Sequence, residues 1–201
     1  NYEADLSLHY HSGNMLIDIT GFYNRINNYI YISPTGESTS SGSKIYRYSQ
    51  TDSKIYGGEL MFEYLLEKWI DLKAGYAYLI GKEDNGNYLP FIPQNKIHFD
   101  VNLKKEKLLF MYHPFFRVGG LYASKQMHPA MFETESDGYF LLNAGIGADI
   151  NWFNQFVSLS VLADNLLNKN YIDHLSTLKD LGYNNMGRNI CFSIKIPFVI
   201  K

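Results

Sequence analysis

The sequence predicts an all-β fold, an antiparallel meander of about nine strands forming part of a transmembrane β-barrel. Three observations lead there. Side-chain polarity alternates with a period of two along most of the chain. The connections between alternating segments are short and long by turns. Aromatic residues make up 16% of the 201 residues, with 17 Tyr and 13 Phe, and several close the ends of apolar rows.

The first segment shows the pattern. Tyr2, Ala4, Leu6, Leu8 and Tyr10 share one face, and Glu3, Asp5, Ser7, His9 and His11 share the other. Successive strand side chains point to opposite faces, so one face is apolar and one wet. A strand crossing a bilayer needs about 9–11 residues with aromatic rings at the two interfaces. The rhythm continues. Met15, Ile17, Ile19 and Tyr23 alternate with Asp18, Thr20 and Asn24. Leu60, Phe62, Tyr64 and Leu66 oppose Glu59, Glu63 and Glu67, and Ile70, Leu72, Ala74, Tyr76 and Tyr78 oppose Asp71, Lys73 and Gly75. Ile97, Phe99, Val101 and Leu103 oppose Lys96, His98, Asp100 and Asn102. Phe110, Tyr112, Phe116, Val118 and Tyr122 are expected on one face of the next strand. Phe140, Leu142, Ala144, Ile146 and Ile150 follow, then Val157, Leu159, Val161 and Ala163. Ile190, Phe192, Ile194, Ile196 and Phe198 come last. Helix is a poor alternative, because charges at every second position would ring a helix on all sides.

The connections orient the chain. His11 to Asn14, Glu67-Lys68, Lys104 to Lys107 and Asn151 to Asn154 are short. Ser33 to Ser43, Asp84 to Gln94, Ala123 to Gly138 and Asn165 to Arg188 are long and polar. Outer-membrane barrels have short periplasmic turns and longer extracellular loops. The last strand then ends at the periplasm. Single-chain bacterial barrels have even strand numbers, so an odd count leads us to expect further strands upstream.

Composition narrows the function classes. A net charge of -2 gives no basis for nucleic-acid binding. Cys191 is the only cysteine, which rules out an internal disulfide and a cysteine-rich zinc site. No cofactor and no catalytic residue is expected.

The tail is the most specific part. It reads Val161-Leu162-Ala163-Asp164-Asn165-Leu166, continues through Tyr171, returns through Gly187-Arg188 and finishes on Ile196-Pro197-Phe198. This resembles the C-terminal signature of TonB-dependent outer-membrane receptors, in which an Asn-Leu pair, a Tyr, a Gly-Arg pair and a terminal aromatic recur. Asn165, Leu166, Tyr171, Gly187, Arg188 and Phe198 occupy those positions. Weaker echoes stand in Gly58-Glu59-Leu60 and Ile92-Pro93-Gln94-Asn95. Two departures are visible: Val199 to Lys201 follow the terminal aromatic, and residues 1–201 contain no plug domain or TonB box.

The resemblance implies a barrel of about 22 strands around a plug, of which residues 1–201 would be the C-terminal part, an open curved sheet when taken alone. It implies an outer-membrane location and contact with lipid. It also implies TonB-complex partnership through an N-terminal region outside this sequence, and a role for Phe198 in recognition by the barrel-assembly machinery. It further implies uptake of a small-molecule ligand: a ferric siderophore or similar metal chelate first, with cobalamin, haem or oligosaccharide as alternatives.

A passive porin and a soluble lectin-like sandwich share the alternation. For the porin the tail argues otherwise; the sandwich would have to bury its apolar face against a second sheet. Ligand contacts are expected from loop residues Tyr88, Phe91, Met127, His128 and Met131, because aromatic rings hold organic chelates and sulfur with imidazole suits copper. Asp173, His174 and Ser176 are close in sequence, but proximity is not triad geometry. The wet-face carboxylates Glu3, Asp5, Glu59, Glu63, Asp71 and Asp100 are expected to line the lumen.

Overall fold

A computed structural model describes residues 1–153 and 155–197. The strands are β1 (Tyr2–Ser12), β2 (Met15–Ser38), β3 (Lys44–Leu66), β4 (Ile70–Glu83), β5 (Lys96–Lys104), β6 (Lys107–Leu108), β7 (Met111–Ala123), β8 (Tyr139–Trp152), β9 (Gln155–Asp164) and β10 (Asn189–Lys195). They form one antiparallel sheet in chain order, with the two-residue β6 paired only to the end of β7. The sheet is open, with β1 and β10 at its edges. The nine segments read from alternation are the nine long strands. No described helix is long and apolar enough to cross a membrane, which does not bear on crossing by strands.

Register sorts the two faces. Leu8, Ile19, Leu60, Tyr76, Ile97, Tyr122 and Phe140 lie side by side from β1 to β8. Every one of them is exposed by more than a third. A sandwich would cover this row with a second sheet; here nothing covers it. The opposite face carries the row Glu63, Lys73, Asp100, Gly119 and Asn143. Its charges pair across strands, Lys73 Nζ to Glu63 at 2.9 Å and Arg117 to Asp100 at 2.6 Å. Two of the expected lumen carboxylates are therefore neutralised by the wall itself. Gly119 makes room for this: a Cβ there would sit 2.4 Å from Asp100 Oδ1. Aromatic rings bracket the apolar band. Tyr23 stacks on Tyr56 above and Phe62 on Tyr64 below. Tyr56 and Tyr64 are eight positions apart, about 27 Å along a strand, which matches an apolar band about 25 Å tall.

Two expectations need correction. The link from Ser33 to Ser43 is not a loop as far as Ser38. Ser33 pairs with Arg47 and Ser38 with Lys44, so only Thr39 to Ser43 turns. A hairpin standing above the apolar band needs backbone pairing but no lipid-facing row, so the polar Ser, Thr and Gly content of 33–43 carries no strand signal. The second correction concerns β7. A bulge between Tyr112 and Phe115 shifts the register, placing Met111 opposite Ile150 in the outward row and Tyr112 opposite Asp149 on the wet face. His113 adopts φ 45° there and Pro114 cannot donate a ladder hydrogen bond. Tyr112 accordingly packs edge-on to Phe156 at 4.9 Å instead of joining Phe116 and Val118.

Candidate functional site

The long loops join the strands at one end of the sheet, and they fold inward over the wet face. Lys96, Ala123 and Tyr139 are in register, so β5, β7 and β8 meet their loops at one level. Loop 84–95 turns back onto the wall: Leu89 N–H donates to the Gly81 carbonyl at 3.0 Å. Gly81 has no side chain to obstruct it; a Cβ there would lie 2.7 Å from Ile92. Leu89 is thereby buried to 1% exposure.

Two buried glutamines stitch the loops together. Gln94 Nε2 donates to the carbonyls of Ser124 at 2.6 Å and Asp137 at 3.0 Å, while its Oε1 accepts from His174 N–H at 3.2 Å. Gln126 Nε2 donates to the carbonyls of Ile92 and Pro93, and its Oε1 accepts from His128 N–H. One primary amide thus serves loops 84–95, 124–138 and 165–188 at once, using donor and acceptor together.

Carboxylates complete the lock. Glu133 accepts from Phe91 N–H and Ala130 N–H, both at 3.0 Å. Burial opposes its ionisation, but those hydrogen bonds and His174 outweigh it and hold its pKa below the usual range. Burial likewise opposes ionisation of Asp173, yet hydrogen bonds from Lys96 Nζ at 2.8 Å and Tyr139 O–H at 2.7 Å keep its pKa low. Lys179 donates to the Thr134 carbonyl, and burial lowers its pKa. His174 is buried; its Nδ1 faces Ser136 Oγ at 2.9 Å and Lys179 Nζ at 3.0 Å, and its Nε2 faces Glu133 at 3.9 Å. The partner of His174 is Ser136, not Ser176. A lysine shares the ring nitrogen that a serine would need as its base, so the group is a structural lock and not a nucleophilic relay.

A cavity of about 470 Å³ opens between the upper part of the β2–β3 hairpin and the last loop, lined among others by Lys44, Tyr46, Phe91, His174, Lys179 and Asp180. Asp180 accepts from Lys44 Nζ at 2.6 Å and from Tyr46 O–H at 3.2 Å. Tyr46 and Phe91 stack at 6.4 Å. The cavity therefore has an aromatic wall and balanced charge.

The loop residues singled out from sequence divide. Phe91 lines the cavity and is 47% exposed. Tyr88 is used elsewhere, its ring stacked on His128 at 4.6 Å with Lys82 above it. Met127 and Met131 are more than half exposed, while His128 is held by Tyr88, so the three do not gather in the cavity. Among the described residues no three His, Cys, Asp or Glu side chains converge on one point.

The tail signature has a mechanical reason. Asn165, 3% exposed at φ 48°, donates to the carbonyls of Lys169 and Met186 and accepts from Lys169 N–H. Leu166 N–H donates to Leu142. Asn168 Oδ1 accepts from Arg188 N–H, and a Cβ on Gly187 would meet that oxygen at 2.9 Å. Tyr171 packs on Tyr139 at 4.4 Å. The descending and returning arms of the last loop are pinned together. Phe198 lies outside the described residues. Gln126, Glu133, Lys44, Tyr46 and Asp180 were not singled out from sequence; polar residues in a loop carry no periodic signal.

A family model described as TonB dependent receptor-like, beta-barrel, matches residues 1–166. The chain belongs to this TonB-dependent receptor β-barrel family. The chain is similar to solved receptor structures. The "Copper transporter OprC" superposes with TM-score 0.79 at 19% identity, over 96% of this chain and 30% of that one. BauA, the ferric preacinetobactin receptor from Acinetobacter baumannii, gives TM-score 0.73 at 18% identity, over 96% and 28%. The siderophore receptor PirA from Acinetobacter baumannii gives 0.68 at 16%, over 98% and 31%. The chain spans about a third of the length of these structures or less. TonB-dependent receptors are outer-membrane transport receptors, not enzymes, and this chain supplies part of such a barrel's wall together with the loops at one end.

Proposed function

We propose that residues 1–201 are the C-terminal wall of an outer-membrane receptor that imports a ferric siderophore or similar metal chelate in a TonB-dependent manner. The observation that carries the reading is the inward-folded loop cluster. Three long loops and one tall hairpin are bound together over the wet face and leave an aromatic-lined cavity beside the lumen. A passive pore gains nothing from a covered mouth. An importer uses such a cover to seat a ligand before it passes inward. The cavity's balanced charge suits a chelate whose metal charge is largely neutralised by its ligand. The TonB complex would act through an N-terminal plug region. The terminal segment would be read by the assembly machinery.

The test is uptake by the complete receptor in a strain lacking its own siderophore receptors. Radioactive iron supplied as a panel of ferric chelates should enter only when TonB is intact, and Tyr46→Ala with Phe91→Ala should raise the half-saturating concentration. Conductance that is open and indifferent to TonB would end the reading in favour of a porin.

A second cargo, copper, is favoured by one observation: Met127 and Met131 expose soft sulfur on the loop that also carries His128. Copper accumulation that falls when both methionines become Leu, with iron uptake unchanged, would select it.

A further inference from the structure

The outward face is not uniformly smooth. Near the short-turn end it holds a depression of about 670 Å³, floored by Phe116, Ile146, Leu159, Val161 and Phe192. The β7 bulge creates one side of it, since Met111 and Pro114 form part of its wall with Leu108 of β6. Trp69, from the turn between β3 and β4, and Lys105 stand at its rim.

Charge at this rim is one-sided. The turn Lys104-Lys105-Glu106-Lys107 carries three lysines against one glutamate, whereas Glu67-Lys68 is balanced and Ser12-Gly13-Asn14 is uncharged. Lys105 follows the end of β5, is tied to the groove wall by its N–H donating to the Pro114 carbonyl at 3.1 Å, and lines the groove. Lys107 is engaged over the Tyr112 ring at 4.8 Å. Lys104 and Lys105 are in no ion pair among the described residues.

We infer that this groove seats one anionic phospholipid of the inner leaflet of the outer membrane, its phosphate at Lys105 and an acyl chain along the groove floor. The inference rests on the barrel orientation in the reading above, which sets the short turns toward the periplasm. Three features fit a phospholipid and not bulk hydrocarbon alone: an apolar trough, an unpaired cation at one end only, and an indole at headgroup level, where Trp is enriched. A lipid held there would splint β7, whose ladder the bulge interrupts, to β8, β9 and β10.

The test is native mass spectrometry of the full-length receptor extracted from outer membranes and exposed to phosphatidylglycerol or phosphatidylcholine. One phosphatidylglycerol should be retained in preference to phosphatidylcholine. Lys105→Glu should reduce retention by about fivefold or more, since a single cation near an anionic lipid is worth about that much and the reversal adds a repelling charge. Lys105→Gln should give a smaller loss, and Ala148→Phe, which fills the trough without touching the cation, should abolish retention while heat-modifiable folding on gels is unchanged. Equal retention of the two lipids, retention unaffected by these variants, or lipopolysaccharide in place of phospholipid would overturn the inference. Lipid retention is read without any transported chelate, so its failure and a failure of uptake are separate results.

Discussion

Replacing Gln94 by Ala should open the loop cluster without unfolding the barrel wall. Gln94 is 4% exposed and makes three hydrogen bonds to two other loops. A hydrogen bond contributes about 1 kcal/mol net, and a buried partner left unsatisfied costs about 1–3 kcal/mol. Water entering the vacated space will recover part of that. A loss of about 3 kcal/mol in the free energy of opening follows, which is a fall of about a hundredfold in protection of amides that exchange through loop opening. The assay is hydrogen exchange with mass spectrometry on the full-length receptor in detergent micelles, comparing peptides over 124–138 and 165–188 with a wall peptide over β4. Gln94→Glu is the sharper variant. Its carboxylate can still accept from His174 N–H, but it cannot donate to the Ser124 and Asp137 carbonyls and would instead face them with negative charge. It should open the loops at least as much as Ala does. Unchanged exchange in both loops for either variant would refute the stitching argument, and equal loss of protection in β4 would show that the amide supports the wall itself.

Asn165→Ala should cost about 2–4 kcal/mol, because it removes three side-chain hydrogen bonds and strains a positive φ that Asn tolerates; the measure is the urea midpoint for folding into lipid vesicles. Val101→Arg, on the outward row beside Val118, should cost about 2–4 kcal/mol in the same titration, whereas Asn102→Arg on the wet face should be close to neutral. Acid should loosen the loops. Asp173 and Glu133 have folded pKa values below their unfolded ones, so their contribution is complete above the ordinary carboxylate range and is lost as pH falls through the depressed values. Exchange of the 165–188 loop should therefore rise on acidification below about pH 4, and Asp173→Asn should flatten that rise. Gly57→Ala should impair folding, since its Cβ would fall 2.3 Å from the Tyr78 carbonyl oxygen, read as reduced heat-modifiable protein on gels.

The wall was legible because its physics is local. A membrane strand must alternate, so Leu6, Leu8, Val101 and Ile146 announce their face by spacing alone, and the connection lengths announce which end is which. The reading broke where backbone geometry departed from that period. Nothing in alternation distinguishes His113-Pro114 as a bulge, and alternation alone therefore puts Tyr112 on the wrong face. The upper hairpin is not legible because strands above the apolar band are held by backbone hydrogen bonds and need no lipid-facing row. The loop lock was the least legible feature. Gln94 stands out in the sequence only as an echo of a family pattern, and its partners Ser124, Asp137 and His174 lie 30 to 80 positions away. Contacts at that range are decided by how β5, β7 and β8 end together, which no short window contains. Asn165 is the intermediate case: its family position marks it in the sequence, and the turn it closes supplies the cause.

The tall β2–β3 hairpin offers a practical handle. At 24 residues β2 runs about 80 Å along its ladder, well over twice what the apolar band occupies. Its tip, Thr39 to Ser43, is held by its own backbone hydrogen bonds, and neither Gly42 nor its neighbours carry the cavity contacts, which begin at Lys44. A short epitope spliced between Ser41 and Gly42 would ride on a stiff two-stranded mast. Intact cells could then be stained with an antibody to report, without lysis, how many receptors are displayed.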